Sequence, residues 1–374
     1  MAWPLPDIPD RQPLPRPKFW LWIVVLIFML TTGICSSLWI WKATEYFDVL
    51  LYGLLPAFLL WLCLFGTVIN RYEQSAAASL SWDDEKERTK AEWQRWSRRQ
   101  LAVVGNVLFS PEEKGMEVLL GEFNNVPAYP VKARPLFGYR YDYSTLMSDA
   151  DLKLEQQHPH YRYSLHSIYV FQAAGKFDKK SNEAIFQQWD LVPVIFNSIE
   201  PVQSLFDSNT TDGLILLICL QDWPVAAQGE ASEFVSAQLI ASPAFALQQA
   251  MPVMAGLTRM MPLEPGKLTS DLDMFFTYQL HDKRKPEYIW LSGNSEETAA
   301  EIVKYAADNQ WVLPEGRPLH SVDFSFGPPG EMALPLSLVM MVAAAKKTGR
   351  DQLLICQTPQ KTGALCLITR ELYA

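Results

Sequence analysis

Few side chains in this 374-residue chain stand where they could do chemistry. Of the five cysteines, Cys35 and Cys63 fall in long apolar runs, and Cys219, Cys356 and Cys366 in short strand-like ones. A thiol in such surroundings is packing rather than a nucleophile, and the spacing makes no disulfide framework. A reducing compartment suits them. His158-Pro159-His160, with His166 further on, could contribute to a metal site, but only Asp149, Asp151 and Glu155 accompany them. That set reads as an exposed loop, so no metal is expected. Gly327 and Gly330 precede an apolar helix and could offer N–H groups to an anion, yet Pro328 and Pro329 between them remove donors. A rigid turn into the helix is the better reading. No cofactor is expected, and with a formal net charge of -9 nothing is basic enough for a nucleic-acid partner.

The elements that would position these residues begin with two apolar spans, Phe19 to Trp41 and Val49 to Ile69, neither containing Asp, Glu, Lys, Arg or His. At ~1.5 Å per residue they reach roughly 34 and 31 Å as helices, which matches a hydrocarbon core of ~30 Å. Arg11, Arg16 and Lys18 precede the first span, and Arg71, Lys86, Arg88, Lys90, Arg95, Arg98 and Arg99 follow the second. The turn between them offers one Lys against Glu45 and Asp48. The positive-inside bias therefore predicts a two-span membrane hairpin with both termini cytoplasmic. Trp20, Trp22, Trp39, Trp41 and Arg71 are the expected membrane-interface residues. Gly33 with Ser37 and Gly53 with Ala57 would let the two helices approach closely, or let copies of the chain do so.

Residues 1–18, rich in proline, read as an extended cytosolic tail, a spacer or a docking peptide. Within residues 70–101, Ser81 to Leu101 reads as a separate amphipathic juxtamembrane helix, capped by Ser81 or Asp83. It lies against lipid headgroups or packs its Trp93 and Trp96 on the body. From residue 102 to 374, strand-like runs alternate with helix-like ones. Strands are expected at Val103–Phe109, Val118–Phe123, His166–Ala173, Val192–Phe196, Leu214–Leu220, Val235–Ala241, Tyr288–Ser292, Ser321–Phe324, Gln352–Gln357 and Ala364–Thr369. Helices are expected at Ser144–Gln157, Asn182–Gln188, Glu200–Ser208, Asp271–Gln279, Ser295–Asn309 and Glu331–Thr348. This alternation implies an α/β class with a mixed, largely parallel sheet and helices on both faces.

In the second half, Pro286 to Asn294 leads to a helix with Glu296, Glu297 and Glu301 and then to His320-Ser-Val-Asp-Phe324. Phe326-Gly-Pro-Pro-Gly-Glu-Met-Ala333 then opens a small-residue helix, and Leu353 to Gln357 and Lys361 to Thr369 close the chain. Together with Asp212 to Gln221 and Ser232 to Ser242, these segments resemble the thiolase-like β-ketoacyl synthases, over about Tyr163 to Ala374. That resemblance implies a nucleophilic Cys at a helix N-terminus, served by two His or by His and Asn. The corresponding turn here is Phe196-Asn-Ser-Ile-Glu200, which has no Cys. Ser198 is the substitute on offer and has no evident base. The loop in which the family keeps a catalytic His reads Phe326 to Gly330, and His320 lies six residues earlier. The expectation is a thiolase-like scaffold without the catalytic triad, hence no enzyme.

A transmembrane start on a degenerate thiolase-like body resembles the adaptor proteins that bring lipase toxins to the type VI secretion machine. That implies a protein partner, a secretion effector or the machinery itself, besides the lipid bilayer and a homodimer through an edge strand. Tyr139, Tyr141 and Tyr143, in the Tyr/Pro-rich segment from Tyr129 to Tyr143, are the candidate partner surface, although alternating Tyr is also ordinary strand chemistry. A membrane-bound acyl-transfer or condensing enzyme, using Ser198, His320 or Cys219, is the competing class.

Overall fold

Two helices open the chain, α1 (Phe19–Trp39) and α2, which runs for 52 residues over Tyr46–Ser97. The computed structural model describes residues 3–6, 8–40, 42, 45–113, 115, 132–138, 142–172, 179–197, 200–207, 213–223, 230–264, 266–280, 285–293, 295–313, 319–357 and 363–373. Trp41, Tyr139, Tyr141, Ser198 and the expected strand Val118–Phe123 lie outside these. The chain divides into two units, residues 5–92 and residues 1–4 with 93–374.

In the first unit, both helices are long and apolar enough to cross a membrane, and only 6% of each one's most apolar window is buried. Where they meet, a Cβ on Gly33 would lie 2.5 Å from the Gly53 carbonyl oxygen, and one on Gly53 would lie 2.8 Å from Ser37 Oγ. The backbones touch because these positions lack side chains, as the small-residue spacing predicts. Gly33→Leu or Gly53→Leu is expected to weaken this pairing by on the order of 1 kcal/mol or more. Disulfide crosslinking between cysteines introduced on the two helices would report the loss. Residues Leu50–Leu54 form a π-helical turn just ahead of Pro56, which absorbs the missing N–H and the ring clash without breaking α2.

The expected separate juxtamembrane helix is overturned. No separate helix starts at Ser81 or Asp83; α2 continues to Ser97, and the next strand begins at Gln100. Between Gly66 and Arg98 there is neither Gly nor Pro, and the stretch is rich in Ala, Glu, Lys and Arg, so nothing stops the helix. The proline-rich segment lies along it. Leu14 N donates to Ser75 Oγ (2.9 Å), Ser79 Oγ to the Arg11 carbonyl (2.7 Å) and Trp82 Nε1 to the Pro9 carbonyl (2.9 Å), so the two run antiparallel.

The second unit repeats one pattern twice. The first half consists of β1 (Gln100–Phe109), α3 (Tyr143–Gln157), β2 (Leu165–Gln172), α4 (Lys179–Trp189), β3 (Val194–Phe196), α5 (Glu200–Leu205), β4 (Leu214–Gln221) and β5 (Phe234–Ala241). After α6 (Pro243–Gln248) come β6 (Ala255–Thr258), β7 (Met261–Leu263), α7 (Leu268–Gln279), β8 (Tyr288–Ser292), α8 (Ser295–Asp308), β9 (Leu319–Ser321), α9 (Val322–Phe326), α10 (Ala333–Thr348), β10 (Gln352–Gln357) and β11 (Gly363–Thr369). The strand orders are β3-β2-β4-β5-β1 and β9-β8-β10-β11-β6, with β7 beside β11. β2 pairs in parallel with β3 and β4, and β8 with β9 and β10, while β5 and β11 are antiparallel to their neighbours. Among the described strands antiparallel pairs thus outnumber parallel ones, against the largely parallel sheet expected. The halves join where β1 pairs antiparallel with β6, from Gln100 opposite Thr258 to Val103 opposite Ala255.

Alternation along the strands builds the layers. In β4, Ile215, Leu217 and Cys219 face a core that includes α10 and residues of both half-sheets, while Leu214, Leu216, Ile218 and Leu220 face α3 and α4. Strands buried on both faces read as continuous apolar runs, which is why Leu214 to Leu220 shows no polar interruption. Helix α10 sits in the middle layer and is apolar nearly all round, from Ala333 and Leu336 to Ala344 and Ala345.

Candidate functional site

The turn from β3 into α5 is the position at which the resemblance requires a nucleophile. Among the described residues, helix α5 has six residues, whereas the corresponding connection from β9 to β10 carries the five-residue α9 and then the sixteen-residue α10. A helix this short carries little of the aligned dipole that would depress the pKa of a nucleophile at its start. Its Val202 and the following Phe206 are buried in the central core.

The other candidates do not gather around that turn. Cys219 is 3% exposed in the middle of β4, opposite Phe171 on β2 and Ser236 on β5, and burial pushes its thiol far above the ordinary range. A thiol held protonated in this way is not a nucleophile. His320 is the middle residue of β9, its ring stacked on Trp290 (4.8 Å between centroids) and near Tyr288 (5.9 Å). The expected strand Ser321–Phe324 is instead the end of β9 followed by α9, because Ser321, with extended backbone, stands at the helix start. His160 is exposed beside Glu155, and desolvation lowers the pKa of His158. Among the described residues no cluster of His, Cys, Asp and Glu could hold a metal ion.

The loop from Phe326 to Gly330 packs on the first half. Ser232 N donates to the Pro328 carbonyl (2.8 Å) and Ser232 Oγ to the Phe326 carbonyl (2.8 Å). Met332 N points to Gln221 Oε1 (3.4 Å), whose own amide donates to the Ser232 carbonyl (2.6 Å). A Cβ on Gly327, where φ is +83°, would lie 2.4 Å from the Lys132 carbonyl oxygen. Backbone and side chains of β4, the approach to β5 and residue 132 thus surround the loop.

Sequence reasoning passed over the most perturbed acid here. Asp323 stands two residues after β9, just as Ser198 stands two residues after β3. Its carboxylate accepts from Gly293 N (3.0 Å) and Ser292 Oγ (3.4 Å), and burial pushes its pKa up to about 6 against those hydrogen bonds. Beside it the thiol of Cys356 is pushed up to about 12, by burial first and by the Asp323 charge second. An acid between Val322 and Phe324, straight after a strand, was the available signal.

Of the proposed partner surface, Tyr143 is described. It is half-buried, and its hydroxyl donates to Asp222. The segment before it is tied to the body: Leu136 N donates to Glu233 Oε2 (2.8 Å) and Glu233 N to the Arg134 carbonyl (2.9 Å). Of the interface residues, Trp20 (73%) and Trp39 (90%) are exposed and Arg71 stands exposed on α2. Trp22 packs on Phe65 (5.5 Å), and its carbonyl accepts from Trp61 Nε1 (2.9 Å). It therefore also holds the hairpin together.

No family model matches the chain, and no curated protein matches it by sequence. Solved structures do match. A type II polyketide synthase acyl-carrier protein in complex with its ketosynthase aligns over 73% of this chain and 100% of the matched one, with TM-score 0.54 and 11% identity. The oxazolomycin ketosynthase domain of Streptomyces albus aligns over 73% and 96%, with TM-score 0.53 and 12% identity. The ketosynthase from module 6 of the bacillaene synthase of Bacillus subtilis aligns over 73% and 70%, with TM-score 0.53 and 11% identity. The body of this chain therefore has the thiolase-like fold of the ketosynthases.

Proposed function

We propose that the chain is a membrane-anchored, non-catalytic adaptor or assembly factor. Its two apolar helices moor it in a bacterial inner membrane with both termini cytoplasmic, and its thiolase-like body binds a protein partner. The observation that carries this reading is the six-residue α5: among the described residues, the helix after the turn that should present a nucleophile is little more than one turn long. Cys219 held protonated in β4 and the enclosed loop from Phe326 to Gly330 support it. The exposed apolar faces of α1 and α2 and the basic flanks around them support the mooring. A toxin exported by type VI secretion is the partner class that the overall architecture favours, with Tyr139, Tyr141 and Tyr143 on the partner surface. Edge strand β3, with Val194 46% exposed, is the place for a homodimer contact.

The competing reading, an acyl-transfer or condensing enzyme on lipid-linked substrates, draws on the chemistry of the ketosynthases that share the fold. Affinity capture of the full chain from detergent-solubilised membranes separates the two. A stoichiometric protein partner is expected, recovered within about twofold when Ser198→Ala and His320→Ala are combined. Recovery of no partner, together with an acyl-transfer signal abolished by the same double substitution, would overturn the adaptor reading.

A further inference from the structure

Trp3 is 5% exposed although it precedes the first helix by sixteen residues. Its indole stacks on Phe275 (5.9 Å, 25° between planes) and meets the edge of Trp96 (5.7 Å, 81°), while its Nε1 donates to the Met260 carbonyl (3.1 Å). A ring stacked on one aromatic and set edge-to-face with another, with its one polar atom bonded, is a specific seat for tryptophan. Behind it lies a second layer. The Arg259 guanidinium, 3% exposed, sits 4.1 Å over the Trp96 ring and 5.3 Å from that of Phe206, and it forms an ion pair with Asp207 (2.6 Å). Arg99 pairs with the same carboxylate at 2.9 Å. Phe206 and Asp207 directly follow α5, so the contacts run from Trp3 through Trp96 and Arg259 to the end of that short helix.

Trp3 is the one buried residue among the described residues 3–6 and 8–16. The prolines at 4, 6, 9, 13 and 15 keep the segment extended and lower the entropy lost on seating it. Beyond the hydrogen bonds of residues 9–14 to α2, this one ring is the segment's buried anchor, a single hot spot whose release needs only one side chain to leave.

We propose that Phe275, Trp96 and the Met260 carbonyl form a docking pocket for a tryptophan side chain on an extended peptide, that the chain's own Trp3 fills it as a latch, and that the filled pocket steadies α5 through Arg259. The proposal does not depend on the adaptor reading. Covalent linkage gives the latch a high effective concentration, so a competing peptide succeeds only when present in large excess or when Trp3 is removed.

Hydrogen exchange on the full chain in detergent micelles tests this. Trp3→Ala is expected to raise exchange at the amides of residues 200–207 about tenfold or more, with exchange in β10 unchanged as the sign that the body is still folded. A synthetic peptide of residues 1–18, added to Trp3→Ala protein, is expected to bind and to restore protection at 200–207. The same peptide carrying Trp3→Ala is expected to do neither. If Trp3→Ala does not fold, Trp3→Phe, which keeps a ring but loses the N–H, takes its place with a smaller rise of about threefold. Exchange at 200–207 within about twofold of wild type in the folded variant, a peptide that fails to bind, or one that binds without protecting 200–207 would each overturn the proposal.

Discussion

Gly293→Ala is expected to unfold the thiolase-like body or to cost it more than about 4 kcal/mol, the range reserved for severe clashes and strain. Gly293 ends β8 at φ +97°, where a Cβ would lie 1.7 Å from the Gln357 carbonyl oxygen and 2.7 Å from its carbon. Neither partner can retreat, because Gln357 closes β10 in register with Gly363, and Cys356 beside it is in register with Ser292. Gly349→Ala is the control. That residue caps α10 at φ +63° with nothing within 4 Å of the added carbon, so only the left-handed strain of about 1 kcal/mol is expected. Denaturant titrations of the full chain in micelles would measure both. Similar losses in the two variants would show that the approach of Gly293 to Gln357 is not the constraint.

Asp323→Asn is expected to remove a pH dependence of about 3 kcal/mol from the stability of the same region. The carboxyl titrates near 3.8 when unfolded and near 6 when folded, because burial outweighs its bonds from Gly293 N and Ser292 Oγ. Between those values the folded state holds the proton more tightly. The burial penalty is therefore absent below about pH 4, grows as pH rises towards 6 and stays constant above it. An amide oxygen can still accept from Gly293 N and never carries the charge. Wild type and variant should thus diverge between pH 4 and pH 7, with the variant gaining on wild type as pH rises. A difference that does not change with pH would show that the folded carboxyl titrates normally. A constant stability loss in the variant would instead report only a missing hydrogen bond.

Element order was legible in the sequence where periodicity was strong. Leu214–Gln221, Phe234–Ala241, Tyr288–Ser292 and Gln352–Gln357 appear at or within a residue of their expected limits. The strands β6 and β7 were not legible. They are four and three residues long, interrupted by Gly256 and Pro262, and exist because β1 and β11 hold them by long-range pairing. The end of the second apolar helix was misplaced, since cap-like residues such as Ser81 and Asp83 do not stop a helix that meets no Gly or Pro after Gly66.

The candidate site divides in the same way. That no Cys stands in the turn after β3, and that Gly327 to Gly330 is proline-filled, could be read from residue types alone. The burial of Asp323, the aromatic stacking of His320 and the seating of Trp3 on Phe275 could not, because each joins residues from elements distant in sequence.

By itself the sequence determined the two apolar helices, the small residues at which they touch, and the order of the strongly periodic strands and helices, for these rest on local periodicity and side-chain size. Only the tertiary structure decided that the two halves share one strand order, that a second helix, α9, stands between β9 and α10, and that an acid two residues after β9 becomes a buried carboxyl near pH 6. Those outcomes depend on which distant backbones pair and which charges lose water, and no local pattern encodes either.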